Sequence, residues 1–522
     1  MGRVRVGAVG RREAAREPRG RHGASAATLA ARRAALGTRP GEPRARARPH
    51  LIAHASRRGG GVDIPRLGGD TTPRQPGART GEGSPRRRTR PAGPRRTTRG
   101  GSTMSANEKS TSTMSDATNG AAQYEHAERF AIRNVTAVLP DSLLEGAFVV
   151  VEDGTITEVS SGTAPDFAVD GHGAFCLPGL VDTHNDGLER EVMPRPSAPV
   201  AADFALIAFE SRVRAAGITT LFHGISWEND SKWGRTTEQA AEFCATIAAH
   251  EAHGNSLIDH RMLHRLDARD LDGSDALRAY LDSHSASRDF GADTPLVSFE
   301  DHTPGQGQYT DKSGMVRYIM GTRHLSQEEA EAEVAKVTDE RDARKHHRET
   351  ALEWITVAAQ SGYIRLIGHD LATAGEVDEA LQWGAHIAEF PTTLEAARLA
   401  RDAGLRSVCG APNVLRGGSH SGNVSARELI ALGLCDGLCS DYLPYGMIAA
   451  AAVLANERVC TLPQAVRLVT RGPALTVGLE DRGLLVDGYR GDLVLARLRN
   501  ATAQVVAVHT VADSRRNQPS PV

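Results

Sequence analysis

Eight short apolar segments alternate with longer helix-like stretches across the middle of the chain, and few architectures accept that order. The strand candidates are 179–184, 218–225, 257–266, 295–302, 363–369, 385–390, 405–411 and 436–441. Helical patterns run between them at 202–216, 235–253, 374–382, 393–403, 424–432 and 445–457. Strands that alternate with helices make parallel sheets, and eight such pairs predict a (β/α)8 TIM-like barrel of the α/β class. The rival is a doubly wound open sheet. That fold normally carries a glycine-rich nucleotide loop after its first strand, and none stands here.

Both ends of the ordered region read differently. Phe130 to Leu139, Ala147 to Val159, Gly483 to Leu495 and Gln504 to His509 are rich in Val, Ile and Leu and broken by turn residues. Each end alone is too short for an independent sheet, so the two are expected to pair into one small β-sandwich. The expected organisation is a leader and linker over 1–125, sandwich parts at 126–176 and 479–522, and a metal-dependent barrel over 177–478. The highly charged stretch 323–361 reads as a solvated helix or helical hairpin inserted after the fourth strand, with Arg341 on its wet side.

The net charge of −2 hides two unlike parts. Residues 1–103 contain 25 Arg, no Lys and 6 acidic residues, while the remainder has 37 basic against 58 acidic residues. The leader has too few large apolar residues to bury a core, so it is expected to be a disordered basic extension. Nucleic-acid binding would rest on that leader alone, and none is expected of the body. No run of about 18 apolar residues exists, and no charged-then-apolar signal peptide is visible. The six cysteines form no Cys-x-x-Cys pair, as expected of reduced, packed thiols in a cytoplasmic protein.

In a barrel, catalytic groups collect at the carboxyl ends of the strands. Here those ends carry His184 and Asp186, His223, Asp267, Asp301 and His302, His369 and Asp370, Glu389, Asn413, and Asp441. Buried charge costs several kcal/mol unless it is paired or bound to metal, so this concentration predicts a divalent-cation site. His184, Asp186, His369 and Asp441 are the first ligand candidates, and Asp267 or Glu389 would bridge if two ions are held. His223, in the middle of an apolar strand, reads as structural. Zinc suits the imidazoles, with manganese or magnesium as alternatives.

The run Ala411-Pro-Asn-Val-Leu-Arg-Gly-Gly-Ser-His-Ser-Gly-Asn-Val424 is the second distinctive element. It follows the seventh strand, where barrels often hold phosphate. Arg416, Gly417, Gly418, Ser419, His420 and Asn423 are expected to bind an anion. The acidic body would repel such a ligand at long range, so the pocket must be locally basic. Arg195, Arg261 and Arg265 are candidates for that, with His302 and Gln306 closing the far side.

These residues resemble the amidohydrolase superfamily: Leu177-Pro-Gly-Leu-Val-Asp-Thr-His184, eight alternating strands, an Asp after the last strand and a split sandwich. Within it, the chain is most similar to the α-D-ribose 1-methylphosphonate 5-triphosphate diphosphatase family of the carbon–phosphorus lyase pathway, over about residues 128–512. The more specific pieces are Asp301-His-Thr-Pro-Gly-Gln306, Gly368-His-Asp370, Ile387-Ala-Glu-Phe-Pro-Thr-Thr393, Gly410 to Asn423 and Ser440-Asp-Tyr442. The resemblance implies metal-dependent hydrolysis of a 5-triphosphate to a 5-phosphate with release of diphosphate. It also implies that Asp441 serves as general base and that Arg416 with the glycine loop stabilises the phosphate chain. The chain departs from the family at Gly187, a polar position elsewhere, at Asp267 in place of Glu, and at Leu371 in place of a second Asp. The alternative is an amidohydrolase acting on a C–N bond, such as a cyclic amidase or deacetylase, which would need no triphosphate cradle. The expected partner is a small polyphosphate, with no membrane contact and with self-association left open.

Overall fold

The computed structural model describes residues 129–230, 234–254, 256–284, 294–419 and 421–511; the basic leader and His420 lie outside the described residues. The chain divides into two compact units, Met1–Ser110 and Thr111–Val522, and every described residue belongs to the second. Among the described residues no helix is long and apolar enough to cross a membrane.

The folded region begins with antiparallel strands β1 (Arg129–Val138), β2 (Leu143–Glu152) and β3 (Thr155–Ser161). Asp153 and Gly154 both take positive φ, 49° and 75°, the geometry that turns a two-residue hairpin with the right twist. Two short strands follow, β4 (Val169–Asp170) and β5 (Phe175–Pro178). They join the same sheet, which the far end of the chain completes in the order β15-β14-β5-β1-β2-β3, with β4 beside β1. Both ends of the folded chain meet here, as expected of the sandwich, in one seven-stranded sheet. Ile132, Val149 and Val151 from one end pack against Leu493 and Leu495 from the other.

All eight expected barrel strands form. They are β6 (Leu180–Asn185), β7 (Ile218–Trp227), β8 (Asp259–Asp267), β9 (Leu296–Glu300), β10 (Arg365–His369), β11 (Ala385–Glu389), β12 (Arg406–Gly410) and β13 (Gly437–Cys439). They pair in parallel and in chain order, as short right-handed connections require. One interior layer takes a side chain from every strand: Val181, Phe222, Leu263, Leu296, Ile367, Ile387, Val408 and Cys439. Full burial of one such residue is worth about 1.5–3 kcal/mol, so this layer is a packed core and no pore. Strands β14 (Leu493–Arg499) and β15 (Thr502–His509) then return to the sandwich.

The seam between first and last barrel strands is closed by polar groups. The Asp186 amide donates to the Asp441 carbonyl at 2.8 Å, and the Asp441 amide donates to the His184 carbonyl at 2.9 Å. Beneath them the buried Asp182 carboxylate accepts the Ser440 amide (2.9 Å), the Ser440 hydroxyl (2.5 Å) and Asn185 Nδ2 (3.2 Å). A register shift between Asp182 and Asn185 turns Asp182 into the seam, so it does not share the face of His184 and Asp186 as simple alternation suggests.

The helices are α1 (Gly187–Val192), α2 (Ala202–Ala215), α3 (Thr237–Ala252), α4 (Leu271–Ser283), α5 (Lys312–Arg323), α6 (Gln327–Asp342), α7 (Lys345–Gln360), α8 (Ala374–Gln382), α9 (Leu394–Asp402), α10 (Ala411–Arg416), α11 (Ala426–Ala431), α12 (Gly446–Asn456), α13 (Leu462–Arg467) and α14 (Arg471–Thr476). Their starts are written in the sequence: Thr373 and Glu376 form a capping box, and Asp270 and Thr393 accept from the amide three residues on.

Four expectations need correction. The charged stretch 323–361 is a hairpin, but only its first arm is an insertion. Helix α7 buries Ala351, Ile355, Ala358 and Ala359 against the barrel, so it is the ordinary helix after β9. Arg341 is not solvated: its guanidinium reaches Asp267 at 2.9 Å and Asp301 at 3.3 Å. The first half of the loop after β12 is helix α10, started by Pro412 and stopped by Gly417 at φ 80°. At the other end, most of 483–495 is turn, because Gly483 and Gly488 hold φ of 88° and 81°, and β14 starts only at Leu493.

The departure at Gly187 has a packing cause. A Cβ there would stand 2.2 Å from the Phe209 ring of α2. Gly187→Ala should therefore destabilise the protein by about 1–3 kcal/mol in thermal or urea unfolding, and Phe209→Leu should restore most of the loss. An unchanged unfolding midpoint in Gly187→Ala would contradict this account.

Candidate active site and metal centre at the barrel mouth

Three barrel strands bring their last residues to one point. Glu389 Oε2 lies 3.0 Å from Nδ1 of His184 and 3.0 Å from Nδ1 of His369. The other ring nitrogen of His184 is 3.3 Å from Asp186 Oδ1, and Asp441 completes that second group. A third group joins His369 to Glu300 and His302. His184, His369 and Glu389 are all at least nine-tenths buried as side chains. Imidazole nitrogens and carboxylate oxygens within ligand spacing of one another are the donor set of a zinc, manganese or magnesium site.

The charges at the mouth are out of balance. Asp186, Glu300, Asp370, Glu389 and Asp441 face the cluster, and a single buried guanidinium, Arg265, stands among them. Arg265 Nη1 is 2.8 Å from Asp186, and its Nε and Nη2 grip both oxygens of Glu300 at 2.9 and 2.8 Å. Burial pushes the Asp370 carboxyl up to about 6, and Oδ2 of that group finds no hydrogen-bond partner among the described residues. Burial and the charge of Asp186 push Asp441 up to about 6 as well. Burial works against the charge on Glu389 too, but His184 and His369 overcome it and hold the carboxyl down at about 2. Burial lowers His302 to about 3, leaving a neutral ring. Buried carboxylates that converge on two imidazoles at one point, one of them with an orphaned oxygen, are the arrangement of a cation site. The residues present thus fit a divalent metal.

Asp370 and Asp441 share a backbone feature with Phe390, at φ of 57°, 59° and 51° respectively. Asp370 and Phe390 directly follow β10 and β11, and Asp441 comes two residues after the end of β13. Left-handed backbone at non-glycine residues costs about 1–2 kcal/mol apiece and is held only where surrounding contacts enforce it. Here the Asp370 amide donates to Glu389 O, the Phe390 amide to Val408 O and the Asp441 amide to His184 O.

Above the cluster opens a cavity of about 650 Å³. Of the residues expected to bind substrate, Arg265, His302, Arg416, Ser419 and Asn423 line it. His420 is outside the described residues. Gly417 and Gly418 do not line it, and their amides are spent on Val414 O and Asn413 O at the end of α10. Arg195 is exposed beyond α1, and Gln306 reaches back to the Asp301 carbonyl, leaving Gln308 to face the cavity. Arg261 pairs with Asp259 near the start of β8, away from the mouth.

Asp267 is also displaced from its expected role. Both of its oxygens accept from Arg341 on α6, so it anchors that helix and stays out of every metal-type group. Glu300, which is not among the expected site residues, stands at the mouth one residue before Asp301 and His302. Leu371 is buried in the outer core. His223 bonds to His260 at 2.8 Å, and His260 to Glu210 at 2.9 Å, in a chain outside the barrel wall.

No family model matches the chain. It is 35% identical over 379 residues to α-D-ribose 1-methylphosphonate 5-triphosphate diphosphatase of Escherichia coli (strain K12), which covers 71% of this chain and 95% of that protein. The chain belongs to the α-D-ribose 1-methylphosphonate 5-triphosphate diphosphatase family. Among solved structures, a triazine hydrolase variant superposes with a TM-score of 0.50 at 14% identity, covering 74% of this chain and 94% of that one. An amidohydrolase superposes at 0.47 and 16% identity, covering 74% and 98%. At 14% identity the likeness to the triazine hydrolase variant concerns the fold alone.

The geometry separates ligand candidates from anchors. His369→Ala or Glu389→Gln should lower the metal content of the purified protein measured by elemental analysis, whereas Asp267→Asn should leave it unchanged and lower thermal stability instead. Loss of metal in Asp267→Asn would reverse the assignment.

Proposed function

We propose that the protein is a metal-dependent hydrolase that converts α-D-ribose 1-methylphosphonate 5-triphosphate to the 5-phosphate, with release of diphosphate, in phosphonate catabolism. The observation that carries this reading is the mouth itself. Five carboxylates crowd Arg265 and two imidazoles there, and a bound cation would turn that point from repelling a polyphosphate to attracting it. The similarity to the Escherichia coli diphosphatase over most of both chains supports the substrate. A divalent ion held by His184, Asp186, His369, Glu389 and Asp441, with Glu300 alongside, would polarise a phosphoryl oxygen and acidify a water. Zinc is the first choice for the imidazoles, and manganese or magnesium suit the carboxylates.

The remaining steps belong to the chain's own groups. Asp441, ionised at neutral pH yet pushed up to about 6, is matched to take the proton from the attacking water. Arg265 keeps Asp186 and Glu300 ionised and fixed in direction. Arg416, Ser419 and Asn423 face the phosphate chain across the cavity. The water oxygen bonds to phosphorus, the anhydride between the first and second phosphates breaks, and the proton rests on Asp441. Six unpaired thiols, five of them buried, support a cytoplasmic location.

Incubation of the purified protein with the ribosyl methylphosphonate triphosphate, followed by phosphorus NMR, should show diphosphate with zinc, manganese or magnesium and none after chelation. Asp441→Asn should lower kcat about 10²–10⁴-fold. Intact triphosphate with all three metals, or opening of a cyclic amide in its place, would overturn the reading.

A further inference from the structure

Four arginines line the cavity: Arg190, Arg235, Arg265 and Arg416. Two are already neutralised. Arg235 pairs with Glu189 at 2.8 Å and Glu228 at 2.7 Å, and Arg265 pairs with Asp186 and Glu300. The other two have no carboxylate partner among the described residues, and both converge on one side chain. The Arg190 guanidinium stands 5.4 Å from the centre of the Tyr442 ring. Arg416 Nη1 donates to the Tyr442 hydroxyl oxygen at 2.6 Å. That bond occupies an acceptor position on the oxygen and leaves its O–H free to donate.

We propose that Arg190, Tyr442 and Arg416 form a clamp for the terminal phosphates and make the enzyme prefer a triphosphate over a shorter chain. The proposal rests on the function inferred above. Tyr442 immediately follows Asp441, so a phosphate held by the clamp is a neighbour of the one that reacts beside Asp441. The three groups come from separate elements: Arg190 from α1, Arg416 from the last turn of α10, and Tyr442 from the turn after β13. Two unpaired guanidiniums offer forked donors to phosphate oxygens, and the ring between them holds their spacing. All three side chains are exposed at the rim, so the clamp meets the end of the ligand that enters last and the diphosphate that leaves first. The neutralised pair, Arg235 and Arg265, cannot add net positive charge for this task.

The test has two arms on the metal-loaded, full-length protein. In the first, binding of inorganic tripolyphosphate is measured by calorimetry in excess magnesium. Arg190→Ala should weaken it about ten- to hundredfold, and Arg190→Lys should recover only part. In the second, kcat/KM is compared for the ribosyl methylphosphonate 5-triphosphate and its 5-diphosphate analogue. Arg190→Ala should lose its effect mainly through KM and only with the triphosphate, and Tyr442→Phe should narrow the same preference. Unchanged tripolyphosphate binding in Arg190→Ala, or equal losses with both substrates, would overturn the clamp. So would weaker inhibition by methylphosphonate with undiminished inhibition by diphosphate, because the cationic rim would then face the other end of the substrate. A wild-type protein that binds tripolyphosphate through Arg190 yet releases no diphosphate would support the clamp and reject the function.

Discussion

Two backbone hydrogen bonds join Asp441 to His184 and Asp186, and the site exists because of them. They close the eighth strand of the barrel onto the first. They also fix three ionisable side chains from opposite ends of the sheet within ligand distance of one another. The fold and the chemistry therefore share one seam. Asp182 and Ser440 tie the same seam one step below, with no side-chain oxygen left for a metal. Without closure, the first and last strands would each carry a lone carboxylate into solvent, where a single charge binds a divalent ion weakly.

Closure also explains why the mouth tolerates so much like charge. Residues after β10, β11 and β13 adopt left-handed backbone, each held by a hydrogen bond from its amide to a carbonyl of the neighbouring strand. That geometry turns Asp370 and Asp441 inward where an extended continuation would carry them past the rim. The resulting carboxylate excess is partly offset by Arg265, which is gripped on both sides and cannot swing away. The rest of the balance falls to a cation and to the unpaired arginines at the rim. The surplus of carboxylates is the source of the mouth's affinity for metal.

Much of this was legible in the chain. Short apolar segments alternating with helix-like stretches marked all eight barrel strands. His184, Asp186, His369, Glu389 and Asp441 stood out because ionisable groups at strand ends have no packing explanation. Side-chain direction was harder to read. Glu300 and Asp301 are neighbours that face opposite ways, and only the true end of β9 decides which one enters the barrel. Asp267 looked like a ligand because its partner, Arg341, lies far along the chain in a helix whose charge pattern suggests solvent. Gly417 and Gly418 looked like an anion cradle, but α10 ends there and consumes their amides. Arg190 carried no motif at all; its meaning comes from lying against Tyr442 without a carboxylate.

The central claim is that one shared centre lies among His184, Asp186, His369, Glu389 and Asp441. Anomalous diffraction at the metal absorption edge, from crystals of the zinc- or manganese-loaded protein, addresses it directly. The account predicts a peak at the barrel mouth with donor distances of about 2.0–2.3 Å from these side chains. A peak only between Glu210, His250 and His260 outside the barrel wall would contradict it, as would a loaded crystal with no peak at the mouth.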